Sequence, residues 1–367
     1  MRYYLQIIVC ILFISCSTKP KKQTQIDFTT VDSFFIVKEK LQKEELPSEE
    51  EWDQLFNSTG YKVAGRDQSR EGYIKLIKLA YYPPSQSEKD SILQFTLKED
   101  LSNMQDYFLK ITVENFIKVG EMEKELLTYR EQYDFDQKID AAKEKLKDFL
   151  IDPTDSLITV PSISAAIFEP EAYAYPSGIV IDLNKSFQDS DEELIGFFSH
   201  ELYHMYRSKF GNKEYANHNG FTRAIEKLHN EGVADLIDKQ DTVFDSKLYP
   251  KQFTDIYGEA FNSTSQTLEQ FDVLTCKFVK GEISEEEYNS TTQNMFVFGG
   301  HPNGFSMTRS IVKNGQKEAL VTNFANSLVF IRLYNEAAKV QGKYVFSDEL
   351  MTYVDQLEDQ FFENKNM

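Results

Sequence analysis

Between residues 26 and 155, apolar positions recur every three or four residues, the period of a helix with one buried face. "TTVDSFFIVKEKLQ" and "PSEEEWDQLFNSTGY" both carry this pattern. Ser48 followed by Glu51 reads as a capping box, with Pro47 just outside it. "YFLKITVENFIKVGEMEKELLTYREQY" predicts one long, charged, amphipathic helix, and "DQKIDAAKEKLKDFL" predicts another. The pattern then changes. "LITVPSISAAIFEP" and "SGIVIDLNK" are short runs rich in Ile, Val and Ala, broken by Pro and Gly. They predict strands at about 157–168 and 178–183, joined by "EPEAYAYPSG". After residue 190 the helical pattern returns and continues to the end. The expected fold class is α+β, mainly helical, with a small β-sheet just before the helix that starts near 191. A lobe division near 155 separates an N-terminal helical region, 26–155, from a core with C-terminal helices, 156–367.

The helix after the strands carries "SHELYHMYRSKF". Ser190 with Glu193 makes a second capping box, and Asp189 and Asp191 add negative charge where a helix N-terminus favours it. Leu194, Ile195, Phe197, Phe198, Leu202 and Met205 give a broad apolar face, and Gly211 with Asn212 supplies a stop signal. His200 and His204 are four apart, so they project from one face one turn apart. Two imidazoles so placed can reach one zinc ion from a rigid element. Glu201 can then reach a water beside the metal without ligating the metal itself.

A catalytic zinc needs a third protein ligand and an open position for water. One zinc-peptidase pattern places a third histidine six residues after the second and a glycine three after it. Here those positions are Phe210 and Arg207, which excludes that class. "TRAIEKLHNEGVADLID" offers another source: a predicted helix with Glu231 and, one turn on, Asp235 on the same face. Glu231 can ligate, and Asp235 can hold the far N–H of a ligand histidine. His218 and His229 are alternatives to Glu231 as the third ligand. His218 lies in a loop rich in Asn and Gly, and His229 points away from the Glu231 face.

His200-Glu201-x-x-His204 followed by Asn230-Glu231-Gly232-Val233-Ala234-Asp235 resembles the gluzincin, thermolysin-like, zinc metallopeptidases. More closely, it resembles a bacterial family of zinc-dependent peptidases known from sequence. That family has two strands before the histidine helix, an "EGxAD" helix after it and a "GHPxG" segment near the C-terminus, here "FGGHPNGFSMTRSI". The resemblance covers roughly 155–315. It implies a zincin-like core, a Zn2+ cofactor held by His200, His204 and Glu231, and Asp235 as the support of a ligand histidine. It implies peptide-bond hydrolysis with Glu201 as general base and His301 as the group that stabilises the oxyanion or shapes the pocket. It also implies that the 160–183 segment lines the substrate cleft, with Tyr173 or Tyr175 near the bound carbonyl or simply packed. A scaffold that keeps zinc as a structural element and binds a peptide or glycan without cutting is the competing class. Glu201 argues against it, because a structural site has no use for that residue.

Composition narrows the partners. The net charge is −19, which disfavours nucleic acid and anionic membrane surfaces and leaves a peptide or protein substrate. "MRYYLQIIVCILFISCS" has a charge at Arg2 and an apolar run too short to span a bilayer. Phe13-Ile14-Ser15-Cys16 resembles a bacterial lipobox, implying a signal peptide at 1–15, a lipid anchor on Cys16 and a polar tether at 16–25. The expected location is the bacterial cell envelope, membrane-anchored and exported. Of three cysteines only Cys276 would then remain unmodified, so no intramolecular disulfide is expected.

Overall fold

A computed structural model describes residues 26–82, 104–151, 162–175, 177–239, 244 and 251–363. The lipobox and tether at 1–25, and the first part of the expected strand at 157–168, lie outside the described residues. Strand β1 (Ile26–Asp27) leads into helices α1 (Thr29–Gln42), α2 (Glu49–Phe56), α3 (Thr59–Val63) and α4 (Arg70–Tyr81). Helices α5 (Met104–Glu121), α6 (Glu123–Gln132) and α7 (Phe135–Leu146) follow. Strands β2 (Ile163–Ala166), β3 (Ala172–Tyr175) and β4 (Gly178–Asp182) come next, then α8 (Leu183–Gln188). The histidine helix is α9 (Asp191–Ser208), followed by α10 (Lys213–Ala216) and α11 (Gly220–Asp238). The last part is helical: α12 (Lys251–Asn262), α13 (Thr264–Val279), α14 (Glu285–Met295), α15 (His301–Lys313), α16 (Lys317–Thr322), α17 (Ser327–Gln341) and α18 (Asp348–Glu358). The mainly helical chain with one small sheet agrees with the α+β expectation.

The sheet has four strands in the order β1-β2-β4-β3. β1, β2 and β4 are parallel, and β3 runs antiparallel to β4, with Tyr173 opposite Val180 and Ala174 opposite Ile179. β2 and β4 are buried along their whole length, which fits their unbroken apolar runs. β3 is a half-exposed edge. The sequence pattern predicts a connection at 172–175, where the structure has a strand. Four alternating Ala and Tyr residues between prolines carry too weak a signal to read as a strand, and it is pairing with the buried β4 that orders them.

The N-terminal helices pack on this sheet. The Tyr61 hydroxyl donates to the Ile167 carbonyl at 2.8 Å, and Asn115 donates to both the Phe168 carbonyl and Asp182. Asp182 is fully buried, caps α8 through the Lys185 N–H and accepts the Phe168 N–H. One apolar core runs from Ile26 in β1 to Phe361 past α18. The long helix expected over 107–133 is two helices, broken at Met122. Just before the break, Gly120 sits so close to Tyr81 that a Cβ there would come within 2.8 Å of its ring. Among the described residues, no helix is long and apolar enough to cross a membrane.

Candidate metal centre

Both expected capping boxes are present. Ser190 and Glu193 exchange bonds of 3.3 and 2.9 Å and start α9, as Ser48 and Glu51 start α2. Helix α9 ends at Ser208, ahead of the expected stop at Gly211. Asn212 instead caps α10, accepting the Glu214 and Tyr215 N–H groups. Helix α11 starts at an Asn219 cap and runs beside α9, so Glu231 faces the two histidines. Helix α15 begins abruptly. Gly300 caps it in the left-handed region, at φ 90°, and Pro302 occupies its first turn. This turn delivers His301 to the same spot.

Three imidazoles converge on one carboxylate oxygen. Nε2 of His204 lies 3.2 Å from Glu231 Oε2, that of His301 lies 3.3 Å away and that of His200 3.8 Å. Among the described residues, His200, Glu231 and His301 form a group able to hold a metal, each bringing a ligand atom within 4.8 Å of the other two. His204 shares Glu231 with them without belonging to that trio. The rings of His200 and His301 are nearly parallel, with centroids 5.8 Å apart, and His204 stands edge-on to His200. His301, expected from sequence as an oxyanion or pocket residue, is therefore a candidate ligand by position.

Asp235 is the buried anchor behind these rings. His301 Nδ1–H donates to its Oδ1 at 3.0 Å, Lys239 Nζ donates to the same oxygen at 2.6 Å, and the Tyr257 hydroxyl donates to Oδ2 at 2.8 Å. The bond to His301 fixes that ring's orientation with Nε2 facing Glu231, and against the pull of burial the two carboxylates together raise the ring above its ordinary value. His200 Nδ1 is 3.6 Å from Asp235 Oδ1 and makes no hydrogen bond. Asp235 thus supports His301 more directly than the histidine helix. Sequence reading missed Tyr257 and Lys239. Lys239 follows Asp235 by one helical turn, and that spacing was the available signal.

Electrostatics follow from burial and pairing. Burial pushes the Glu231 carboxyl up, but His204, His301 and His200 outweigh it and hold the group well below the usual carboxylate range. Burial opposes charge on His204, yet Glu231 and Glu201 raise it to about 9. Burial drives His200 well below its ordinary value. Burial lifts the Glu201 carboxyl to about 7. A deeply set carboxylate ringed by imidazoles, with a carboxyl poised near neutrality beside it, is a nitrogen-and-oxygen donor set of the kind zinc takes.

A cavity of about 560 Å³ opens over the site. Its walls include the whole of β3, His200, Glu201 and His204 from α9, Glu231 from α11, and Tyr257, Phe298 and His301. The Tyr173 hydroxyl is engaged with Glu169 at 2.8 Å. Tyr175 is exposed. The remaining histidines lie elsewhere. His229 is fully buried between Arg207 and Ser327 and stacks on Phe330 at 4.6 Å, and His218 packs edge-on against Phe361. Arg207, unremarked in the sequence except as a missing glycine, pairs with Glu226 and ties α9 to α11 and α17. Cys276 is free and half-buried, with Sγ 3.5 Å from Asp272.

A family model described as "Putative zinc dependent peptidase (DUF5700)" matches residues 51–342, most of the chain. No curated protein and no solved structure matches.

Proposed function

From the premise that the chain belongs to the family so described, we propose that it is a zinc-dependent metallopeptidase of gluzincin type acting on peptide bonds. The observation that carries this reading is the convergence of His200, His204 and His301 on Glu231 beside the buried Glu201. His200, His204 and Glu231 would hold the zinc; where His301, supported by Asp235, adds its nitrogen, the water would bind as a fifth ligand, an expansion that catalytic zinc accepts. Zinc held there would acidify a water and polarise a peptide carbonyl. Glu201 accepts the proton of the attacking water and returns it to the leaving amine. An extended substrate lies along β3, the sheet edge that lines the cavity, and adds to it as a further strand.

The reading includes export and anchoring through Cys16. It is supported by the Phe13-Ile14-Ser15-Cys16 stretch and the polar residues after it. Cys16→Ala would release the chain from the membrane fraction, and retention there would remove the anchor from the reading.

The deciding experiment is zinc per chain by elemental analysis, on protein expressed from residue 17, beside Glu231→Ala. The expected result is one zinc in the parent and a marked loss in the variant. A folded parent that takes up no zinc even when it is supplied would overturn the zinc-peptidase reading.

A further inference from the structure

The cavity has one ionic end. Glu171, Lys185, Asp238 and Lys239 line it, and Lys185, Lys239 and His301 lie close enough to act on the charge of Glu171. Three of these four side chains are already engaged. Lys185 Nζ grips both oxygens of Asp189, at 3.0 and 2.7 Å. Lys239 Nζ holds Asp235 at 2.6 Å and Asp238 at 3.3 Å. Glu171 is the exception: among the described residues its half-buried carboxylate has no hydrogen-bond or ion-pair partner.

Its position is not accidental looseness. Glu171 directly precedes β3, and its backbone is pinned on both sides. Its N–H donates to the Glu169 carbonyl at 2.6 Å, and its own carbonyl accepts the Asp182 N–H at 3.1 Å. The side chain is therefore delivered to the cavity wall by a fixed main chain, at the start of the strand along which substrate is proposed to lie. Burial pushes this carboxyl up, while Lys185, Lys239 and His301 act to keep it ionised. Those cations offset part of the burial without touching the carboxylate, and a substrate cation entering the cavity would supply the direct partner.

We propose that Glu171 is a specificity residue that takes a cationic group of the substrate, so the enzyme prefers peptides presenting an ammonium or guanidinium at that end of the cleft. The proposal rests on the peptidase reading above. The net charge of −19 adds a long-range pull on cationic peptides. A primary ammonium can come from a lysine side chain or a free amino terminus, and the experiment separates the two.

Zinc-loaded protein is incubated with a synthetic peptide mixture in two forms, free and N-acetylated, and cleavage sites are read by mass spectrometry. The expected profile has Lys or Arg over Gln at one fixed position by about tenfold or more in kcat/KM. If the amino terminus is the source, acetylation abolishes the preference instead. In Glu171→Gln the cationic-to-neutral ratio falls towards one, and in Glu171→Lys it inverts in favour of acidic residues. A parent without any cation preference overturns the proposal while leaving the peptidase reading intact, as does a preference that survives both substitutions. A zinc-loaded parent that cuts nothing overturns both. The parent's profile needs no variant, so the test stands even if one variant misfolds.

Discussion

Gly232 of α11 and Gly304 of α15 meet backbone to backbone. A Cβ on Gly304 would fall 2.2 Å from the Leu228 carbonyl oxygen and 3.0 Å from the Gly232 nitrogen, and one on Gly232 would fall 2.4 Å from the Gly304 carbonyl. Glu231 precedes the first glycine by one residue and His301 precedes the second by three, so this contact sets the separation between carboxylate and imidazole. Gly304→Ala must push the helices apart, because backbone cannot yield as a flexible side chain can. The expected cost is about 1–3 kcal/mol, as for other overpacked sites. Zinc affinity should fall with it. A melting temperature and a zinc titration matching the parent would show that the helices are not held in register here.

Much of this site is visible in the sequence, because helical spacing is a local property. The capping box at Ser190, the four-residue step from His200 to His204 and the same step from Glu231 to Asp235 all read directly. What does not read is partner choice across the fold. Asp235 reaches His301, sixty-six residues away, and Tyr257, twenty-two away, because α15 and α12 fold over α11. β3 stayed hidden for a related reason. Its order comes from β4, and four residues of Ala and Tyr have no period long enough to announce a strand. Arg207 looks like a surface residue on a wheel, yet it is buried against Glu226 and Ser327.

Glu201→Gln keeps size and removes the base. Zinc content should match the parent, while kcat falls by about 10²–10⁴, the usual worth of a positioned general base. Burial lifts this carboxyl to about 7, and the base works only when ionised. That value belongs to the metal-free chain; a bound zinc ion favours the carboxylate, so the parent's rate should rise with pH with a midpoint below it. Full turnover in the variant would remove Glu201 from the reaction.

Asp235→Ala takes away the hydrogen bond that orients His301. Zinc affinity should drop about 10–100-fold without being lost, as for other residues that hold a metal-binding histidine in place. Tyr257→Phe removes one of the three donors to that carboxylate and should act in the same direction, more weakly. X-ray absorption at the zinc edge gives the more specific check. Three imidazoles are expected in the parent and fewer in His301→Ala. An unchanged count would return His301 to a role beside the metal.

Zinc binding should release a proton. In the metal-free chain Glu231 raises His204 to about 9, so His204 is protonated at pH 7, and a metal needs its lone pair. The apparent affinity should fall as pH falls, and the heat of binding at pH 7 should vary with the ionisation enthalpy of the buffer. The same pair sets a stability window for the metal-free chain. A raised histidine stabilises fully below its ordinary 6.5, and the effect is lost as pH rises through about 9. The lowered Glu231 stabilises above its ordinary 4.5 and less as pH falls. The pair's contribution is therefore greatest between about 4.5 and 6.5. A buffer-independent heat would mean that His204 is already neutral.

The cavity wall has its own clamp, away from the metal. Glu169 is buried, at 4% exposure, and receives Arg66, the Tyr73 hydroxyl and the Tyr173 hydroxyl. The Arg66 guanidinium also lies over the rings of Tyr73 and Tyr173, at 5.1 and 5.4 Å. Tyr173 belongs to β3, so the turn after α3, α4 and the edge strand are tied through one carboxylate. Arg66→Ala leaves that carboxylate buried with only hydroxyl donors, a loss of about 3–5 kcal/mol for a broken buried pair. Arg66→Lys keeps the charge but neither the planar fork nor the stacking, so it should fall between parent and Ala. Because β3 is the proposed seat of the peptide, KM should rise in both variants while zinc content holds. Variants as stable as the parent, with an unchanged KM, would show that β3 is held by its pairing with β4 alone.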